Sequence, residues 1–194
     1  TTAGSLSLAD NIAAEDAPVI ANLRRNGAVI LGKTNMTEFA NYTSPDMPNG
    51  YSSRGGQVIG AFDPAMDPGG SSTGSAVAVS AGFCAAAVGT DTSFSIVGCA
   101  TQNGVTGLKP AHGSLPGKGI IPISHTLDSA GPLTRDAADA WMLYSSMRAS
   151  PLPPALPADP RTLRLAVNIA GRDQVSDSQL ARYETLFQRL RGAG

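Results

Sequence analysis

The sequence predicts an α/β fold in which a mixed central β-sheet is flanked by helices. Short apolar runs typical of buried strands alternate along the chain with segments that carry helical patterns, and this alternation is characteristic of layered α/β proteins. The 194 residues are enough for one domain with a substantial core. The 22 glycines and 14 prolines also predict many turns and close backbone contacts.

Two helices and one strand are predicted in the N-terminal part. Acidic residues followed by Pro18 favour a helix start, and Gly27 favours its end. The apolar run 28–31 is predicted to be a buried strand. Thr34 is then expected to cap a short helix that contains Glu38. The residues expected on the buried face of the first helix are Val19, Ile20 and Leu23.

The middle of the chain combines a long loop with short regular elements. Residues 44–70 are rich in proline and glycine and lack a periodic pattern, so a functional loop is expected there. A helix of small residues is predicted over 73–81, and a buried strand over 85–90. Two further short strands are predicted, over 105–110 and 119–123.

The C-terminal part contains two more predicted helices, at 134–145 and 176–191. Between them, five prolines in 150–160 indicate a domain boundary or a crossover, and 163–167 is predicted to be a strand. We expect one domain over 1–194. The buried side predicted for the helix at 134–145 consists of Ala137, Ala138, Trp141, Met142 and Leu143. The apolar face predicted for the last helix consists of Leu180, Tyr183, Leu186, Phe187 and Leu190.

Composition limits the kinds of partner that the chain can have. The net charge is −1, so no basic surface for nucleic acid is expected. No apolar run of about 18 residues is present, so no membrane-spanning helix is expected. Cys84 and Cys99 have small or apolar neighbours and are predicted to be buried thiols of a cytoplasmic protein rather than a disulfide. His112 and His125 have no neighbour at ligand spacing, so no metal site is expected.

One segment matches a nucleotide-binding pattern by its letters alone. Residues 27–34 read GAVILGKT, which fits the phosphate-loop pattern G-x-x-x-x-G-K-[ST]. The backbone N–H groups of a phosphate loop must be free to contact phosphate. Here the four intervening residues are themselves the predicted strand, so a nucleotide site is not expected.

A stretch rich in serine and glycine, residues 67–95, carries the candidate chemistry. Gly69, Gly70, Ser71 and Ser72 precede a predicted helix, and a second serine-rich turn ends at Ser95. Serine hydroxyls serve as nucleophiles in hydrolases once a base removes the proton. We therefore expect Ser71 and Ser95 to meet in one acyl-transfer site. The alternative is a glycine and serine turn that only caps a helix, which is a common use of these residues.

Several motifs in collinear order resemble those of the amidase signature family. The resembling segments are GAVILGKTNMTEFAN (27–41), SSRGGQV (52–58), DPGGSSTGSAVAVSAG (67–82), VGTDTSFSI (88–96), NGVTGLKP (103–110) and GIIPISHTLDSAGPLTRDAADA (119–140). The resemblance covers at least two-thirds of the chain. Within the family, the run MPNGYSSRGGQV (47–58) is most similar to bacterial peptide amidases.

The resemblance implies a Ser–cis-Ser–Lys triad and an incomplete amidase signature fold. Ser95 falls on the nucleophile, and Ser71 falls on the bridging serine that the family holds after a cis peptide bond. Ser72 is expected to help shape the turn. The backbone N–H groups expected to form the oxyanion hole belong to Thr92, Ser93, Phe94 and Ser95. The implied reaction is hydrolysis of a carboxamide through an acyl-enzyme, without a metal or an organic cofactor.

Two departures from the family pattern qualify this implication. The family lysine precedes the stretch that residues 1–5 resemble, whereas Lys33 and Lys109 match structural positions. The base would then lie upstream of a chain truncated at both ends, and the 194 residues alone would be nearly inactive. Phe94 stands where the family prefers glycine, and it would strain the turn if that position has positive φ. The alternative function is therefore a catalytically inactive amidase-like binding module.

The expected partner is a small-molecule or peptide amide acting as substrate. The remaining part of an amidase chain, or a second copy in a homo-oligomer, is the expected protein partner. Neither nucleic acid nor a membrane is expected to bind.

Overall fold

The computed structural model describes residues 1–150, 159, 164 and 175–193. The chain forms two compact units, Thr1–Pro151 and Leu152–Gly194. The predicted fold class is confirmed, because the first unit combines small β-sheets with flanking helices. The predicted strand at 163–167 lies outside the described residues, apart from Arg164.

A three-stranded antiparallel sheet forms the centre of the first unit. It consists of β3 (Ala86–Asp91), β4 (Thr106–Gly107) and β5 (Ser129–Thr134), in the spatial order β3-β5-β4. β3 agrees with the strand predicted over 85–90, and β4 lies inside the segment predicted over 105–110. All six residues of β5 are buried, as expected for the strand that lies between the other two.

β5 was not predicted, because its sequence SAGPLT contains two residues that disfavour strands. Pro132 lacks an N–H donor, but its carbonyl oxygen accepts a hydrogen bond of 3.1 Å from the N–H of Leu108. Gly131 allows this approach, since a Cβ at that position would collide with the carbonyl oxygen of Leu108. Tertiary pairing with two neighbours therefore overrides the weak local preference for a strand.

Two helices of small residues pack on the sheet. α2 (Thr73–Ser80) contacts β3 and β5, and it confirms the helix predicted over 73–81. α3 (Val97–Gln102) follows β3 after a short loop and contacts β4. Small side chains let these helices approach the sheet closely. The buried cluster between them comprises Ala76, Ile96, Cys99, Ala100 and Leu133.

A second layer is formed by α1 (Pro18–Arg25) and α4 (Ala137–Met147), which contact each other. The side-chain amide of Asn22 donates to the carbonyl oxygen of Met147 at 2.9 Å, which connects the two helices. Val19 and Leu23 are buried as predicted, whereas Ile20 is only half-buried.

The predicted buried face of α4 is wrong. Trp141 and Met142 are exposed, whereas the buried residues of α4 are Ala140, Tyr144 and Met147. The buried residues are spaced at i, i+4 and i+7, as one helical face requires. Contacts with α1 and β5 determine which face of α4 is buried. That face cannot be predicted from which residues are large and apolar.

Two predicted strands are absent from the sheets of the described residues. Residues 28–31 form no regular element and belong to neither sheet, and Val29 and Leu31 are 82% and 75% exposed. The segment 119–123 begins in a turn and continues as irregular backbone, with Ile121 and Ile123 exposed. An apolar run predicts a strand only where a neighbouring strand is available, and neither run has one in the described part of the chain.

Two further local predictions need correction. Thr34 does not cap a helix, because its hydroxyl lies 2.9 Å from that of Ser75 on α2. The expected helix is instead the short 3-10 helix Glu38–Asn41. The loop predicted over 44–70 contains a small hairpin, whose strands are β1 (Tyr51–Ser52) and β2 (Gly56–Gln57).

The described part of the second unit is dominated by α5 (Asp177–Gly192), which confirms the predicted C-terminal helix. Ser176 begins it with a capping box, in which the serine and Gln179 exchange hydrogen bonds with each other's backbone. Tyr183 and Phe187 stack on its apolar face, with ring centroids 6.3 Å apart.

We predict that Leu133→Ala lowers the free energy of unfolding by about 2–5 kcal/mol, because the side chain is fully buried in the cluster and its removal leaves a cavity. Urea unfolding followed by circular dichroism measures the change. Leu6→Ala is the matched control, since Leu6 is mostly exposed and should change the value by less than about 1 kcal/mol. Equal effects of the two substitutions would contradict the assigned core.

We predict that the thiol of Cys99 is unreactive in the folded protein. Burial raises its pKa to about 12, so the thiolate that attacks disulfide reagents is scarce near neutral pH. Titration with a chromogenic disulfide reagent, before and after unfolding in urea, measures the reactivity. In a Cys84→Ala protein, which leaves Cys99 as the single thiol, release of colour before unfolding would disprove the prediction.

Candidate active site

The first predicted serine, Ser71, lies in a buried turn directly before α2. The peptide bond between Gly70 and Ser71 is cis. Ser71 is only 2% exposed, and its carbonyl oxygen accepts a 3.1 Å hydrogen bond from the N–H of Thr37. The hydroxyl of Thr37 in turn accepts from the N–H of Gly50 at 2.8 Å. The loop over 44–70 and the turn at Ser71 are thus connected through Thr37.

Ser72 joins this turn to the end of β3. Its hydroxyl donates to the carbonyl oxygen of Thr90 at 3.0 Å and accepts from the N–H of the same residue at 3.1 Å. The N–H of Ser72 donates to the carbonyl oxygen of Ser95 at 3.3 Å. The structure therefore brings the two predicted serine turns into direct contact, with Ser72 as the link.

The loop between β3 and α3 (residues 92–96, the β3–α3 loop) carries the second serine. Ser95 is half-buried, and Ser93 and Phe94 are exposed. The N–H groups of Ser93, Phe94 and Ser95 donate to no acceptor among the described residues. Free consecutive N–H groups can bind the negative oxygen of a tetrahedral intermediate, so this loop has the donors that an oxyanion hole requires.

A buried carboxylate, Asp91, connects the two ends of the β3–α3 loop. Its Oδ2 atom accepts hydrogen bonds from the N–H groups of Ile96 at 2.7 Å and Val97 at 3.3 Å, at the start of α3. Its Oδ1 atom lies 3.0 Å from Nζ of Lys109. That same Nζ donates to the carbonyl oxygen of Thr92 at 2.7 Å. One ion pair therefore contacts the loop at its beginning and at its end.

A second carboxylate, Asp128, contacts the loop from the turn before β5. Its Oδ1 atom accepts a 2.5 Å hydrogen bond from the hydroxyl of Thr92. Its Oδ2 atom accepts from the N–H groups of Ile123 at 2.8 Å and Ser124 at 3.0 Å. Burial raises the pKa of Asp128, but these three hydrogen bonds and the nearby His125 outweigh burial and leave that pKa below its usual value.

Phe94, in the β3–α3 loop, does not adopt the strained positive-φ conformation. The non-glycine residues with positive φ in the described part of the chain are Ala3, Phe39, Ala40 and Asn41. The ring of Phe94 lies against Gly98 of α3, where a Cβ would overlap it, and the N–H of Gly98 donates to the carbonyl oxygen of Phe94 at 2.8 Å. Glycine at position 98 thus provides the space that the Phe94 ring occupies.

Sequence reasoning singled out the serines but did not connect them with the charged residues Asp91, Lys109 and Asp128. Asp91 lies within the quoted segment 88–96, Lys109 lies near the end of the segment 103–110, and Asp128 lies within 119–140. Their proximity depends on chain segments that are far apart in sequence, so no local pattern reveals it. In the described residues, no group of His, Cys, Asp and Glu could bind a metal ion, and no helix has the length and apolar character needed to cross a bilayer.

Comparison with known proteins identifies the class. The profile of the family described as amidase matches residues 1–163. A probable amidase of Arabidopsis thaliana is 44% identical over 147 residues, which are 76% of this chain and 29% of that protein. A glutamyl-tRNA(Gln) amidotransferase subunit of Burkholderia pseudomallei is 45% identical over the same length, with the same coverage. The chain belongs to the amidase family.

The structural comparison agrees with this assignment. The native peptide amidase of Stenotrophomonas maltophilia superimposes with a TM-score of 0.75 and 46% sequence identity. The match covers 77% of this chain and 31% of that enzyme. The chain therefore spans slightly less than a third of the length of the relatives that it matches.

We predict that Asp128 stabilises the fold less as the pH falls. Its folded pKa is below the value of about 3.9 expected for an unfolded chain, so the unfolded state binds the proton first on acidification. The stabilisation is complete above the unfolded pKa and is lost as the pH falls through the folded pKa. Urea unfolding between about pH 6 and pH 3 should therefore show a shallower decline for Asp128→Asn than for the unsubstituted protein. Identical slopes would contradict the assigned hydrogen bonds.

Proposed function

We propose that this chain is the part of an amide hydrolase that carries the two catalytic serines, with Ser95 as the nucleophile and Ser71 as the bridging serine. Amide hydrolysis in general follows from membership of the amidase family. The observation that supports the serine assignment is the hydrogen bond from the N–H of Ser72 to the carbonyl oxygen of Ser95. It brings together two turns that are far apart in sequence, as shared chemistry requires.

In the proposed mechanism, the hydroxyl oxygen of Ser95 attacks the carbonyl carbon of a carboxamide while its proton passes through the Ser71 hydroxyl to a lysine base. The tetrahedral oxyanion binds to the N–H groups of the β3–α3 loop, from Thr92 to Ser95. Collapse of the intermediate breaks the carbon–nitrogen bond, and the proton returns to the departing ammonia or amine. Water then attacks the acyl-enzyme, which releases the carboxylic acid and regenerates Ser95.

The base proposed here comes from a lysine segment upstream of Thr1. Of the lysines in the sequence, Lys109 pairs with the buried Asp91, and Lys118 pairs with Glu15 at 2.7 Å. Lys33 is exposed. A catalytic base must be neutral and within reach of the bridging serine, and burial away from carboxylates favours the neutral form of a lysine. The paired lysines do not meet these conditions.

We propose a linear amide, either a small molecule or a peptide amide, as the substrate class. The similarity to an enzyme described as a peptide amidase supports this choice. A relative described as an amidotransferase subunit favours association with other chains, such as the rest of an amidase chain or a second copy. A cytoplasmic location stays a prediction.

The second candidate function is an inactive amidase-like binding module. The observation that favours it is Phe94, whose ring occupies space next to the proposed oxyanion hole and is 60% exposed. A site of this kind would bind an amide without cleaving it. Labelling of Ser95 by a serine-directed probe distinguishes the two functions.

We predict that Ser95→Ala abolishes amide hydrolysis, with a loss of at least about 10⁴-fold in kcat, because no acyl-enzyme can form. Ser71→Ala should cost about 10²–10⁴-fold, the usual range for loss of positioned proton transfer. Ammonia release from short peptide amides measures the rate, in the longer protein that includes the upstream lysine segment. Labelling by a fluorophosphonate should disappear only in Ser95→Ala.

Ser146→Ala is the matched control, because the Ser146 hydroxyl bonds only within α4, to the carbonyl oxygen of Met142. The 194-residue chain alone should release ammonia at close to the background rate. Full activity of Ser95→Ala would disprove the proposed nucleophile. A longer protein that resists the probe and cleaves no amide would favour the binding module.

A further inference from the structure

We propose that Lys109 and Asp128 are positioning residues that together orient the β3–α3 loop for catalysis. Neither residue belongs to the proposed triad. They contact the loop from two different chain segments, the stretch after β4 and the turn before β5. The proposal rests on the function proposed above, because it explains how the N–H groups of that loop stay aimed at the substrate oxygen.

The contact of Lys109 determines the direction of one peptide group. Nζ of Lys109 has no acceptor capacity and donates to the carbonyl oxygen of Thr92 at 2.7 Å. The peptide bond between Thr92 and Ser93 is trans. In a trans peptide the C=O and the N–H point in opposite directions. Binding the Thr92 carbonyl therefore turns the free N–H of Ser93 away from Lys109.

The ion pair with Asp91 keeps Lys109 in that position. Asp91 has a fully buried side chain, and its other oxygen accepts from the first N–H groups of α3. A buried carboxylate without a cation is strongly unfavourable, so Lys109 and Asp91 stay together. The end of β3, the loop and the start of α3 are consequently joined through one charged pair.

Asp128 also contacts Thr92, at its hydroxyl rather than at its carbonyl oxygen. One carboxylate oxygen accepts a hydrogen bond from the hydroxyl of Thr92, while the other accepts from two N–H groups of the turn at 123–124. Asp128 directly precedes Ser129, which pairs with Asp91 across the sheet. Thr92 is therefore bound at its carbonyl oxygen by Lys109 and at its hydroxyl by Asp128, which leaves the loop little freedom to rotate.

A loop restrained at the carbonyl oxygen and the hydroxyl of Thr92 should stabilise the transition state more than it strengthens substrate binding. The oxyanion forms only during the reaction, so misdirected N–H groups slow the chemical step and leave ground-state affinity nearly unchanged. The expected signature is a fall in kcat at constant KM. A purely structural role would instead lower the folded fraction and leave the activity of folded molecules unchanged.

The experiment compares Lys109→Met, Lys109→Arg and Asp128→Asn in the longer protein that includes the upstream lysine segment. The readouts are kcat, KM, the rate of fluorophosphonate labelling and the thermal midpoint of unfolding. Lys118→Met is the matched lysine control, because Lys118 forms an exposed ion pair with Glu15. Asp136→Asn is the matched carboxylate control, because Asp136 caps α4 through the N–H of Asp139.

We expect Lys109→Met to lower kcat and the labelling rate by about 100-fold, with KM within about threefold of the original value, as small misplacements of catalytic groups do. Lys109→Arg should recover at least about tenfold of the loss, since it restores a cation that can donate to the Thr92 carbonyl oxygen and pair with Asp91. Asp128→Asn should lower kcat by about tenfold, and both controls should leave it unchanged.

The proposal is overturned if folded Lys109→Met keeps the original kcat and the original rate of fluorophosphonate labelling. It is also overturned if Lys118→Met lowers kcat as much as Lys109→Met does. If Lys109→Met fails to fold, the double variant Asp91→Asn with Lys109→Met removes both charges together. An unchanged kcat in the folded double variant would overturn the proposal, and a loss like that expected for Lys109→Met would support it. A double-mutant cycle of Thr92→Val and Asp128→Asn tests the contact between these two residues. Additive losses in kcat would contradict that contact.

These outcomes are distinct from a failure of the proposed function. Activity that survives Ser95→Ala refutes the nucleophile, whatever the positioning variants show. Loss of activity in Ser95→Ala together with full activity in Lys109→Met and Asp128→Asn refutes the positioning role alone.

Discussion

The arrangement of the candidate site depends on the buried carboxylate of Asp91. It stands at the last position of β3, and its two oxygens bind the start of α3 and the ammonium group of Lys109. Breaking such a buried pair by removing one partner typically costs about 3–5 kcal/mol, because the remaining charge has no compensation. The chain therefore cannot move the β3–α3 loop without disturbing its core. Rigid support of this kind is what a preorganised site requires.

The sheet and the site are coupled through β5. This central strand pairs with β3 along its whole length and starts directly after Asp128. Because Ser129 pairs with Asp91, the turn that contains Asp128 lies next to the end of β3. Hydroxyls of small residues complete the connection, since Ser72 bonds to the backbone at Thr90 and Thr92 bonds to Asp128. Polar groups with defined partners specify the geometry more sharply than apolar contacts do.

Much of the fold could be predicted from local patterns, and the failures share one cause. Helices α2 and α5 were predicted because a run of small residues and an amphipathic pattern are readable in the sequence. The strand β5 was missed because Gly131 and Pro132 disfavour strands locally, although two neighbouring strands stabilise it. The run 28–31 was assigned to a strand because burial was inferred from apolarity alone. In each failure the partner in space, rather than the local sequence, determines the outcome.

The candidate site shows the same division. The sequence predicts Ser71 and Ser95 as site residues, and the turns that carry them lie in contact. Lys109 and Asp128 contact Thr92 from positions 17 and 36 residues away in sequence, and no spacing rule connects them.

The exposed apolar run that contains Val29 and Leu31 has a practical consequence. The run belongs to neither sheet of the described residues. An exposed apolar run of high β-propensity can form β-structure between molecules, so this chain expressed alone should be prone to aggregate.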